Sequence, residues 1–185
     1  MFSGVGYKFD SPLLYYATMA MFRHPIDVVH VHYPYPDSFF LQPRDQMAPQ
    51  LISDVHAAVT AVLEKHHYKK VLFTGKSIGT IPIVCDFMKD DRFSDAKIIL
   101  LTPLIKDEPL FQILSGSSHH GLIAIGNQDR FYDPGKIKQL RETNFDIEVV
   151  DGGNHSLNVG NFDTDASIRA LARVIKKIEA FVDDC

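Results

Sequence analysis

The sequence predicts an α/β protein, a mostly parallel sheet of about six strands in the order 2-1-3-4-5-6 with helices on both faces. Two observations carry the class and the parallel sheet. Short aliphatic and β-branched runs alternate along the chain with longer stretches of helical periodicity. The interior runs, VLF, IILL and LIAI, are apolar without interruption, as strands covered on both faces should be. Parallel neighbours need crossover connections, and the helical stretches supply them.

Residues 1–5 and 26–33 read as the first two strands, with a helix over 13–23 between them. A helix from about residue 49 to 66 leads into the strand at 70–74. Another follows Ser77, and Pro82, tolerable only in a first turn, predicts that it starts distorted. Strands at 97–102, 121–125 and 145–150 alternate with helices at 108–114 and 134–143. Asp133-Pro134 is an N-cap followed by proline at the first helical position. The closing helix, 164–183, places Ile168, Leu171, Val174, Ile175, Ile178 and Val182 at helical spacing.

The 185 residues suit one compact domain able to bury its own core, with 45% hydrophobic and 23% charged residues. A net charge of −4 and the lack of a basic run argue against nucleic-acid or anionic-membrane partners. Cys85 and Cys185 provide neither a disulfide framework nor a zinc spacing. No segment has the apolar length of a membrane span, and the N-terminal MFSGVGYKFDSP lacks signal-peptide character. A cytoplasmic location is the expectation. Oligomeric state is left open, a homodimer included.

Ligands of such sheets gather beyond the carboxyl ends of the strands. The segments there are SGVGYKFD, PYPDS, GKSIG, TPLIKD, GNQDRFYD and DGGNHS. FTGKSIGT, residues 73–80, ends like a phosphate-binding loop but lacks its first glycine, a position held by Lys70. The intervening VLFT is a strand, not a loop able to wrap phosphate, so the nucleotide reading fails. GKSIG instead fits G-x-S-x-G: a strand, a sharp turn that Gly75 and Gly79 permit, Ser77 exposed at its apex, and a helix behind. A serine nucleophile needs a base and an orienting acid. Asp129 and Asp133 lie in the next acidic strand-end loop, and His155 lies in the Gly-rich turn after the last strand.

With these three motifs in order, the chain resembles the α/β-hydrolases, specifically their small lidless bacterial members. GKSIG matches the nucleophile elbow, GNQD the acid loop, GGNHS the histidine loop, and SGVG the oxyanion loop often written H-G-x-G. Ser3 stands where that loop usually has histidine, and the strands that usually precede it are absent from this sequence. The resemblance implies Ser77 as nucleophile, His155 as base and Asp129 as the acid orienting it. Asp129 is preferred to Asp133 because it falls three residues after the strand-ending glycine, and Asp151 ranks third. Backbone N–H groups of Ile78 and Val5 would form the oxyanion hole, with Gly6 or Tyr7 as substitutes for Val5. Tyr7, Tyr33, Leu104, Phe131, Tyr132 and Leu157 are candidates to line an acyl pocket, with ordinary packing the alternative for each.

His30 and His32 share a strand face, and His66-His67 and His119-His120 are adjacent pairs, but none belongs to a metal-ligand spacing. No metal and no cofactor is expected. The reading is a serine hydrolase acting on a small-molecule acyl substrate, an ester or thioester, through an acyl-enzyme. A peptidase or acyltransferase with the same triad, or a binding domain that kept the fold, are the alternatives.

Overall fold

The computed structural model describes residues 1–183; Cys185 lies outside them. Four parallel strands, β1 (Leu72–Lys76), β2 (Lys97–Leu101), β3 (Gly121–Gly126) and β4 (Phe145–Val150), form one sheet in the order β1-β2-β3-β4. Among the described residues six α-helices accompany them: α1 (Pro12–Met21), α2 (Arg44–Lys65), α3 (Thr80–Cys85), α4 (Glu108–Ser115), α5 (Pro134–Leu140) and α6 (Thr164–Asp183).

Alternation along β2 and β3 explains their unbroken apolar runs. Ile98, Leu100, Ile123 and Ile125 enter one core with residues of α2, α3, α4 and α5. Ile99, Leu101, Leu122 and Ala124 enter a second core, on the other face, with α1 and α6. A polar residue on either face would lose its water without gaining a partner. The fold class is therefore the one the sequence predicts, an α/β sandwich of three layers.

The strand count differs, four rather than about six. Residues 1–4 do lie beside β1: Phe2 N–H donates to Thr74 O at 2.8 Å, and Lys76 N–H donates to Phe2 O at 3.0 Å. The 26–33 segment lies outside that, Val31 N–H donating to Met1 O at 3.1 Å. Both contacts are parallel, so the spatial order 2-1-3-4-5-6 is kept, but each is a single bridge rather than a ladder. The first segment leaves the sheet because the chain turns back at once, Gly4 N–H donating to Tyr7 O and Gly6 adopting a φ of +64°. The second is an edge flanked by Pro25 and Pro34, neither of which can donate to a ladder.

Helix α2 starts at Arg44, ahead of the expected residue 49, and Pro49 sits inside it. Pro49 forfeits one helical hydrogen bond, but the added turn buries Met47 and Ala48 in the core. Helix α5 ends at Leu140 rather than 143. Among the described residues no helix is long and apolar enough to cross a membrane.

Candidate active site

Strand β1 delivers Ser77 into a sharp turn. Ser77 has φ +54°, a left-handed conformation that costs a non-glycine residue about 1–3 kcal/mol and persists only where its surroundings impose it. They do so by contact. A Cβ on Gly75 would collide with the Gly79 carbonyl, and one on Gly79 would collide with the Phe2 carbonyl. The turn continues as a single 3-10 turn, Ser77–Gly79, before α3, so the helix carrying Pro82 begins irregularly. Thr80 Oγ1–H closes it on Ser77 O at 2.6 Å.

The loop after β3 carries Asp129 and the loop after β4 carries His155. They are built as one unit. Gln128 N–H donates to Gly153 O at 2.9 Å, and Gly126 lies so close to the Gly153 backbone that no Cβ fits between them. Asn127 spans both loops, its amide donating to Asp151 Oδ1 at 2.7 Å and its carbonyl accepting from Gly152 N–H at 2.8 Å. Asn154 Oδ1 then accepts from Ser156 N–H and Asn158 N–H, which folds the histidine turn over itself.

These loops bring three side chains into line. His155 Nδ1–H donates to Asp129 Oδ2 at 2.7 Å. A carboxylate can only accept, so Nδ1 holds the imidazole proton and Nε2 is left as an acceptor. Ser77 Oγ–H donates to that Nε2 at 2.8 Å. The Asp129 side chain is fully buried and its Oδ1 accepts from Phe131 N–H at 2.9 Å, whereas the His155 side chain is 25% exposed. The Asp129 carboxylate is buried and held, and the His155 imidazole faces the solvent side.

The other acids are occupied elsewhere. Asp133 caps α5 by accepting from Lys136 N–H at 2.9 Å, and Asp151 is held by Asn127. Ile78 lies at the start of the helical run, where N–H groups have no intrahelical acceptor. Val5 is 48% exposed in the loop just after Gly4, where an added Cβ would come within 3.2 Å of Ser77 Cβ.

Of the six pocket candidates, Phe131 meets the histidine ring edge-on at 5.3 Å. Tyr7 lies beside the site, its ring facing Lys76 Nζ rather than the serine. Leu104 is buried in one core and Leu157 in the other, and Tyr132 packs against the first. Tyr33 stacks on Tyr35, and its buried hydroxyl has no hydrogen-bond partner among the described residues. The remaining histidines pack, pair with carboxylates or lie exposed: His24 meets Asp183, His56 meets Asp86, and His66 and His67 are exposed. His30 stacks on Phe9 and bonds Thr18 Oγ1 at 3.0 Å, and His119 bridges Ser117 and Phe93 O. Among the described residues no three His, Cys, Asp or Glu side chains converge on a metal site.

One residue the sequence reading passed over is Lys76, considered there only as part of a phosphate loop. It is 2% exposed, directly before Ser77, and its Nζ donates to His155 O at 3.1 Å and Thr102 Oγ1 at 3.3 Å. Burial lowers its pKa from 10.5 to about 8, the Asp129 carboxylate opposing that shift. A lysine at the variable position of G-x-S-x-G was the available signal, but sequence does not reveal that its side chain turns inward.

A strained serine turn between a parallel strand and a helix, with histidine and acid supplied by later strand-end loops, defines the class of an α/β hydrolase. The chain belongs to that family: residues 2–183 match the family described as alpha/beta hydrolase domain. Solved structures agree in fold. An alpha-beta serine hydrolase homologue from Coxiella burnetii is 13% identical, with a TM-score of 0.62 over 94% of this chain and 79% of that one. A putative alpha/beta hydrolase from Agrobacterium tumefaciens is 15% identical, with a TM-score of 0.64 over 97% and 79%. The Pyrococcus furiosus esterase Pf2001 is 11% identical, with a TM-score of 0.65 over 99% and 80%. Comparison with curated protein sequences gave no match.

Proposed function

We propose that this protein is a serine hydrolase that cleaves a small carboxylic ester or thioester through an acyl-enzyme on Ser77. The observation that carries the reading is the continuous hydrogen-bonded line from Ser77 Oγ through His155 to Asp129. In it, Ser77 Oγ attacks the substrate carbonyl carbon while His155 Nε2 takes its proton. Asp129 holds the proton-bearing Nδ1 and stabilises the imidazolium that forms. The N–H groups of Ile78 and Val5 receive the developing oxyanion. His155 then protonates the leaving alcohol or thiol, and water, deprotonated by the same imidazole, releases the acid.

The substrate is small. Only α4 separates β2 from β3, so no large insertion covers the serine. A hollow of about 420 Å³ adjoins the histidine turn through Ser156 and Leu157, walled by Tyr7, Phe162, Ile168 and Leu171. Ser77 does not line it. Because the histidine stands on the leaving-group side of the scissile bond, this hollow takes an apolar leaving group rather than the acyl chain.

A fluorophosphonate probe should label the wild-type protein and not Ser77→Ala, and p-nitrophenyl esters of short acids should be turned over by the first alone. Equal labelling of both proteins would overturn the assignment of Ser77. Neither labelling nor turnover in the wild type would favour a binding domain on the same fold.

A further inference from the structure

Lys76 has no part in the reaction just described, yet it sits under it. An ammonium has three donors and no acceptor. Its neighbours match that count: the His155 carbonyl at 3.1 Å, the Thr102 hydroxyl at 3.3 Å and the face of the Tyr7 ring at 4.4 Å. Each neighbour belongs to a different strand-end loop. Tyr7 follows the first extended segment, Thr102 follows β2, and His155 follows β4. Lys76 itself is the last residue of β1, one bond from the serine. Thr102 has φ +48°, which a β-branched residue adopts only under constraint, so its backbone too is held in place.

The geometry points to Lys76 as a positioning residue for His155: its ammonium ties the main chain of the histidine to the strand that carries the serine, and so sets the spacing between Nε2 and Oγ. The ring is located by Asp129, Ser77 and the Phe131 edge, and its turn is held to the acid loop and to itself. None of these ties the backbone from which the ring hangs to the strand that carries the serine. The Lys76 bond to His155 O does, and it spans 79 positions of chain in one step. A purely apolar side chain could fill the same volume without burying a charge. The lowered ammonium pKa shows that burial here is costly, as is common where a charge has a task.

The kinetic arm of the test rests on the proposed hydrolase reading, and the spectroscopic arm does not. Lys76→Met keeps an unbranched chain of similar length and removes the donor. It should lower kcat by on the order of 10²-fold at nearly unchanged KM, because misplacing the base hurts the reacting geometry and not substrate binding. Fluorophosphonate labelling should slow by the same factor. In parallel, the downfield NMR resonance of the His155 Nδ1 proton should broaden or vanish, as the loosened ring exchanges that proton with water. If the wild type turns nothing over, the hydrolase reading fails, but this resonance still reports on Lys76. Should Lys76→Met not fold, Lys76→Gln keeps a shorter donating amide and is expected to show a smaller change of the same kind. A folded variant with wild-type kcat and a wild-type Nδ1 proton, and only a lower Tm, would overturn the proposal.

Discussion

Raising the pH above about 8 is expected to stabilise the wild-type protein relative to Lys76→Met. The lysine is 2% exposed, and burial takes its ammonium from 10.5 down to about 8, against the pull of the Asp129 carboxylate. In the unfolded chain the same lysine stays protonated up to its ordinary value. Between about 8 and 10.5 the unfolded state therefore binds more protons than the folded state, and stability rises with pH across that window. Below about pH 8 both states are protonated, and the cost of burying the charge is carried in full. At 1.36 kcal/mol per pH unit that cost is about 3 kcal/mol. Urea denaturation of both proteins from about pH 7 to about pH 10 measures it, because titrations common to the two cancel in the difference. Tyr7, whose phenol is pushed above 10.0 by burial, ionises beyond most of this range. The difference should shift toward the wild type by most of that 3 kcal/mol. A difference that stays flat with pH would refute the reasoning, since it would mean the ammonium is as well accommodated in the fold as in water.

Asp129→Asn should lower kcat for p-nitrophenyl esters by between about 30-fold and about 3 × 10⁴-fold. To accept from His155 Nδ1–H, the amide must turn its NH₂ onto Phe131 N–H, leaving two buried donors unpaired at about 1–3 kcal/mol each. Ser77→Ala and His155→Ala should each abolish nearly all turnover, and the double variant should be little worse than either; additive losses would mean the two do not act as a unit. Gly79→Ala should cost more than about 3 kcal/mol in chemical denaturation or prevent folding, since its Cβ meets the backbone of Phe2 and Ser3. Gly116→Ala, whose Cβ would touch only Gln112 O at 3.4 Å, is the control and should shift stability by less than about 1 kcal/mol.

The fold was legible because its signals are periodic. IILL and LIAI mark strands buried on both faces, and the spacing of the last helix marks its buried stripe through Val174 and Ile178. The two outer segments misled for a related reason. Apolar residues around Phe2 and Val31 report burial, and both segments do pack on the sheet, but burial does not say how many rungs of hydrogen bonds a turn will allow. Helix α2 begins at Arg44, ahead of Pro49, because the burial of Met47 and Ala48 outweighs the bond that the proline forfeits, a balance that local sequence does not display. The positions of Ser77, Asp129 and His155 were legible from glycine-flanked motifs at strand ends. Lys76 was not, because a lysine in sequence reads as a surface charge. Its burial depends on three loops that converge from far along the chain.

That convergence explains why the same glycines appear both in the motifs and in the packing. The line from serine to acid requires three loops to approach within hydrogen-bond distance of one another, and loops carry backbone polar groups that must be satisfied when packed closely. Gly79 lets the elbow rest on the first segment, and Gly126 lets the acid loop rest on the histidine loop, both at distances a Cβ would forbid. Asn127 and the Gln128 N–H then satisfy the polar groups those contacts would bury. Removing a side chain at one position and adding an amide at the next are two halves of one solution. The acid and histidine loops are therefore a rigid pair, and the serine strand must be registered against them separately. Lys76 is placed to supply that registration, reaching from the serine strand to the carbonyl of His155.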